Sequence, residues 1–120
     1  MDTLYNADKL VFIDNDLNLT VDLSHEMAQE LTDIALSLGY KARVSHVPWG
    51  GGSTDAASFG QVDVEASCLM AFELDVKNLQ EDLVYHTPRD FSDAIEPEVV
   101  EQALTIIREY IIKKDREILA

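Results

Sequence analysis

The sequence predicts an α/β domain in which a mixed sheet is flanked by helices. Three observations carry that expectation. Leu10–Ile13 is a short apolar run of strand length. Apolar residues recur at helical spacing from Met27 to Leu38 and again from Val99 to Ile111. Between them lie two further strand-like segments, Tyr40–Val47 and Val64–Phe72. Strand patterns alternating with helical ones give a layered domain with helices packed on a sheet. The chain has 120 residues, 47% of them hydrophobic. That is enough for one folded domain over residues 1–120, and too apolar for a disordered chain.

Taken in order, Leu10–Ile13 (LVFI) reads as a strand that runs into Asp14-Asn15-Asp16. Leu17–Leu23 (LNLTVDL) alternates apolar and polar with period two, which predicts a half-buried strand. Ser24 offers an N-cap side chain. Met27, Ala28, Leu31, Ile34, Ala35 and Leu38 follow at helical spacing, and Gly39 stands as the stop. Tyr40–Val47 predicts a strand with Ala42, Val44 and His46 on one side and Arg43 and Ser45 on the other. Pro48–Ser53 must be a loop, because successive glycines do not support a regular element cheaply. Asp55–Phe59 predicts a short helix capped by Ser53, Thr54 or Asp55. Val64–Phe72 is apolar enough for a central strand covered on both faces. Asp75–Asp82 reads as a polar connection, and Val84-Tyr85 leads into a turn at His86. Pro97, at the first helical position, opens a long C-terminal helix with a broad apolar stripe.

Charge and cysteine use narrow the function classes. Nine basic residues against 23 acidic ones give a formal net charge of −14. Such a chain repels phosphate backbones and anionic membranes, so neither nucleic acid nor a membrane surface is expected as a partner. The single cysteine, Cys68, excludes an internal disulfide and a thiolate zinc cluster. Its apolar neighbours suggest a buried side chain rather than a nucleophile. The start of the chain lacks the features of a secretion signal, and no apolar run approaches bilayer length. A cytoplasmic location is the expectation.

Three features could carry chemistry. His86, in LVYHTPRDFSDAI, is expected just beyond a strand, in a turn stiffened by Thr87-Pro88, and could present its imidazole at a sheet edge as a metal ligand. Local pattern alone favours an exposed turn residue. Asp14 ends an apolar strand, a recurrent place for a ligand carboxylate; a turn role suits it as well. An EF-hand reading of Asp14-x-Asp16-x-Asn18 fails, since Leu19 stands where glycine is needed and His25 where glutamate belongs. The Gly-rich stretch Gly50–Phe59 lacks the lysine of a P-loop. His25 and His46 read as structural or exposed.

Together the segments STDAASF, VDVEASCLMAFE and VYHTPRDFSDAIEPEVVEQAL resemble the C-terminal half of the co-catalytic di-zinc aminopeptidases. That family comprises bacterial leucyl aminopeptidases and their glutamate carboxypeptidase and transferrin-receptor relatives. The resemblance covers most of Ser53 to Ile112, and LVFIDND is a looser match to the family strand that ends in a ligand aspartate. It implies a truncated, phosphorylase/hydrolase-like zinc-aminopeptidase domain. His86 would ligate one zinc ion and Asp14 the other, with Asp16 as fallback for Asp14. Asp55 and Thr54 would shape the substrate side, Tyr85 would stand beside the ligand histidine, and Asp90 would support the turn. Zinc would be the cofactor, and a peptide with a free N-terminus the substrate. The family also uses a His-x-Asp pair and a Glu-Glu pair, and neither occurs in this chain. The implied domain is therefore incomplete and inactive alone, unless a second chain supplies the missing ligands. A protein-interaction module that kept the fold and lost the metals is the alternative. A truncated sheet would leave apolar surface to hide, so a homo-oligomer or heteromer is expected.

Overall fold

The computed structural model describes residues 1–49, 52–74 and 84–119. Those residues form a mixed three-stranded sheet with helices on both faces. Strand β1 (Leu10–Ile13) is central. A two-stranded hairpin follows it, β2 (Asn15–Asp16) and β3 (Val21–Asp22). Helix α1 (His25–Ser37) leads to β4 (Ala42–Ser45), which pairs parallel with β1. Helix α2 (Asp55–Gly60) precedes β5 (Leu69–Ala71), which pairs antiparallel with β1. Helix α3 (Pro97–Leu119) ends the chain. The α/β expectation is met, and the sheet is mixed.

Side-chain alternation along β1 explains the two cores. Leu10 and Phe12 point to one face, where Ala28, Leu31 and Ala35 of α1 and Val99, Ala103 and Ile106 of α3 cover them. Val11 and Ile13 point to the other, against Val47, Ala56, Cys68 and Met70. All four β1 residues are buried. Burying side chains of this size is the dominant favourable term for such a small domain.

Helix α1 starts where Ser24 accepts a hydrogen bond from the Met27 amide at 3.0 Å. It stops at Gly39, whose φ of +83° suits glycine. There the Tyr40 amide reaches back to the Ala35 carbonyl, and the Gly39 amide to the Leu36 carbonyl, in a Schellman closure. Thr54, of the three candidate caps, is the one that closes α2, accepting from the Ala56 amide. Proline opens α3 as the sequence predicts.

Three expectations need correction. Leu17–Leu23 is no continuous strand: Leu17, Asn18 and Leu19 all have positive φ and form the turn of the β2–β3 hairpin. Its alternation reflects a turn bringing two short strands together. The strand within Val64–Phe72 is confined to Leu69–Ala71 and is not central, because β1 lies between it and β4. It is buried on both faces nonetheless, and the N-terminal segment shields its outer edge. The Asp2 amide donates to the Leu69 carbonyl and the Tyr5 amide to that of Ala71, with a bridge between Leu4 and Ala71. Finally, Val84 and Tyr85 are not strand, so no described strand leads directly into His86. The polar connection Asp75–Asp82 lies outside the described residues, as do Gly50 and Gly51 of the Gly-rich loop.

Among the described residues no helix is long and apolar enough to cross a membrane.

Candidate functional site

Asp14 stands at the end of β1, where the sheet fixes its backbone. Its amide donates to the Ser45 carbonyl and its carbonyl accepts from the Leu23 amide, each at 2.9 Å. The carboxylate is part-exposed, and its Oδ2 lies 2.7 Å from Nδ1 of His25. The Ser24 cap makes His25 the first residue of α1, and the hairpin returns that helix start to the end of β1. The strand-end aspartate is therefore engaged by an imidazole that sequence reasoning left unassigned. Nothing local signals this pair, since the intervening turn decides it.

Asp16, the fallback for Asp14, has a different environment. It is fully buried. Its Oδ1 accepts from the Leu17 amide at 2.7 Å. Its Oδ2 accepts both the Thr54 amide at 3.0 Å and the Thr54 hydroxyl at 2.7 Å. A buried carboxylate is tolerated when donors surround it in this way. Asp16 thereby ties the β2–β3 hairpin to the start of α2, and both its oxygens are in use.

His86 lies on an exposed turn with φ of +59°, a backbone region that histidine visits more readily than most residues. Its ring stacks on Tyr85 with centroids 3.7 Å apart, and Tyr85 in turn contacts Phe72 at 6.1 Å. The turn is held locally, because the Thr87 hydroxyl donates to the Val84 carbonyl and accepts from the Arg89 amide. It is also held remotely. The Tyr5 hydroxyl donates to Asp90 Oδ1 at 2.9 Å, and burial with the adjacent Asp90 charge pushes the Tyr5 phenol up to about 12. Asp90 thus anchors the His86 turn to the N-terminal segment.

Tyr85 and His86 border a cavity of about 400 Å³. Met70, Phe72 and Leu74 give it an apolar wall, while Gly52–Thr54 and the segment Asp2–Thr3 form other sides. Among the described residues its charged lining residues are the acids Asp2 and Glu73, with no lysine or arginine. Glu73 is paired with Lys9 at 2.9 Å. The buried Oγ1 of Thr3 has no hydrogen-bond partner among the described residues. Such a lining suits an apolar group carrying a neutral or cationic donor. Asp55, the first residue of α2, is exposed and borders a second cavity of about 410 Å³, which shares Asp2 and Thr54 with the first and also touches Cys68. Cys68 itself is buried, and burial pushes its thiol pKa up, which suppresses nucleophilic character.

The structure therefore brings His86, Tyr85 and Thr54 to one cavity. Asp14 is not among the residues lining it, and Asp90 supports the turn from Tyr5. Zinc sites draw at least three ligands from protein. Among the described residues no three His, Cys, Asp or Glu side chains are grouped to hold a metal ion. Asp14 paired with His25, and His86 stacked on Tyr85, do not by themselves fit zinc. Compared with protein-family models, with curated proteins and with solved structures, the chain matches none.

Proposed function

We propose that the chain is a zinc-aminopeptidase-like domain, equivalent to the C-terminal half of that family's catalytic unit, which does not hydrolyse peptides alone. The observation that carries this reading is the Tyr85-His86-Thr87-Pro88 turn beside a cavity whose other side is the Gly52–Thr54 loop. The three segments on which the sequence resemblance rests each contribute residues to that space: Ser53 and Thr54, Met70 and Phe72, and Tyr85 and His86.

In the family, bound zinc activates water and polarises the scissile carbonyl. The His-x-Asp and Glu-Glu pairs that complete such a centre are missing from this sequence. What remains is a binding surface. Phe72, Met70 and Leu74 offer apolar contact, while Asp2 and the Thr3 hydroxyl offer acceptors for an amine. A peptide with an apolar first residue and a free N-terminus has that chemistry. The second reading, a protein-interaction module without metal, is favoured by the lack of a three-ligand group among the described residues.

The test is leucine amide added to the zinc-supplemented chain, followed by amide chemical shifts and by product analysis. The proposal expects shifts confined to residues such as Gly52, Phe72 and Tyr85, with no leucine released. Leucine release that falls at least about a hundredfold in His86→Ala would overturn the claim of inactivity. Unshifted cavity residues would overturn the peptide-binding assignment and leave the interaction module.

A further inference from the structure

Helix α3 has more apolar surface than its own domain uses. Val99, Ala103 and Ile106 are buried against the sheet, and Ile107 packs partly against the same cluster. A second row runs beside that face. Val100, Leu104, Ile107, Ile111, Lys114 and Ile118 follow one another at alternating spacings of four and three. That is the heptad spacing of a helix–helix seam. Val100 is 41% exposed, Leu104 and Ile111 are each 59% exposed, and Ile118 is 83% exposed. The helix is 23 residues long, roughly 35 Å at 1.5 Å per residue. Its final residues, from Asp115 to Leu119, are all exposed.

We propose that this row docks the same helix of a second copy of the chain, antiparallel about a two-fold axis. Apolar matching is one reason. With Leu104 opposite Ile107 of the second copy, Val100 falls opposite Ile111, and the two-fold axis repeats both pairs. Charge is another. In that register the exposed Glu101 flanks Arg108 of the second copy, and the exposed Arg108 flanks its Glu101. The interface is thus self-complementary in sign as well as in its apolar pairing. Lys114 selects the direction. A parallel pair would set Lys114, which Glu30 engages at 2.8 Å and Glu117 at 3.3 Å within its own chain, against its own copy in the seam, a like-charge contact that the antiparallel pair avoids. The antiparallel pair moves each Lys114 out to the other helix's first turn, where Glu98 stands. It also opposes the two helix dipoles.

The seam is narrow. In that register residues 97–114 of each helix overlap, roughly 27 Å at 1.5 Å per residue, and Ile118 lies beyond the overlap; a pair of that length lies near or below the ~1,200 Å² of a stable standard interface. The dimer therefore belongs in the micromolar range of affinity, on the order of 1–100 μM. The inference stands apart from the zinc reading, since no residue of the candidate site takes part.

Sedimentation equilibrium across that concentration range tests it, with circular dichroism as the check on folding. The wild-type chain should reach a dimer mass and Leu104→Asp should stay monomeric. Glu101→Arg and Arg108→Glu should each weaken pairing by about tenfold or more, because each sets like charges together. The double variant Glu101→Arg/Arg108→Glu should recover pairing to within about threefold of wild type. A wild-type chain monomeric throughout would overturn the proposal. So would a dimer indifferent to Leu104→Asp, or a double variant no better than its parents.

Discussion

Asp16 and Thr54 lie 38 positions apart in sequence, yet the Asp16 carboxylate accepts both the amide and the hydroxyl of Thr54. The bond joins the hairpin after β1 to the loop that borders the cavity. Asp16→Ala removes the acceptor and leaves those donors buried. The expected loss of folding stability is about 3 kcal/mol, measured by chemical denaturation. A change below about 1 kcal/mol would mean that water reaches this site and takes over both bonds.

Gly60 sits at the end of α2, packed against the same hairpin. A Cβ there would lie 2.8 Å from Val21 Cγ1, 3.0 Å from Leu23 Cδ2 and 3.1 Å from the Asp22 carbonyl. Alanine normally stabilises a helical position by roughly 1 kcal/mol relative to glycine. Here overpacking costs about 1–3 kcal/mol and opposes that gain. Gly60→Ala should therefore lower the unfolding midpoint; a raised midpoint would mean that the hairpin yields freely.

How much of this was legible in the sequence depends on whether local chemistry decides the outcome. The α1 boundaries were legible, because Ser24 and Gly39 act on backbone groups within a few residues of themselves. Proline at the start of α3 was legible for the same reason. The Leu17–Leu23 segment was not. Period-two alternation is shared by a strand and by a tight hairpin, and only the positive φ at Leu17, Asn18 and Leu19 separates them. The role of Asp16 was hidden because two of its three donors come from the distant Thr54. The His25 partner of Asp14 was hidden because the hairpin, rather than the residue types, brings them together. Leu4 bridging Ala71 at the sheet edge likewise leaves no periodic mark in MDTLYN.

The Tyr5–Asp90 bond gives a prediction at alkaline pH. The Tyr5 phenol is raised from 10.0 to about 12, by burial first and then by the hydrogen bond and charge of Asp90. Its protonated form therefore contributes stability that is fully present below pH 10.0 and is lost as pH rises through about 12. Tyr5→Phe should remove that alkaline component and cost about 1–2 kcal/mol at neutral pH. The ultraviolet phenolate titration of wild type minus Tyr5→Phe reads the group directly. A difference curve centred near the ordinary phenol value would refute the assignment.

At acid pH the sign reverses. Glu30 of α1 takes Lys114 at 2.8 Å and Lys113 at 2.9 Å from α3, and their hydrogen bonds hold its pKa below the usual 4.5. The stabilisation is complete above 4.5 and is lost as pH falls through the lowered value. Glu30→Gln should flatten that part of the stability–pH curve. Because the lysines face solvent, added salt should shrink the effect, which an acid titration of the unfolding midpoint at two ionic strengths would show.

The proposed zinc-aminopeptidase-like surface would lack a complete metal site of its own. Zinc content after exhaustive dialysis, compared between wild type and His86→Ala, tests it most directly. Far less than one zinc per chain is expected in both proteins. About one zinc per wild-type chain, lost in His86→Ala, would contradict it and establish His86 as a ligand of a working site.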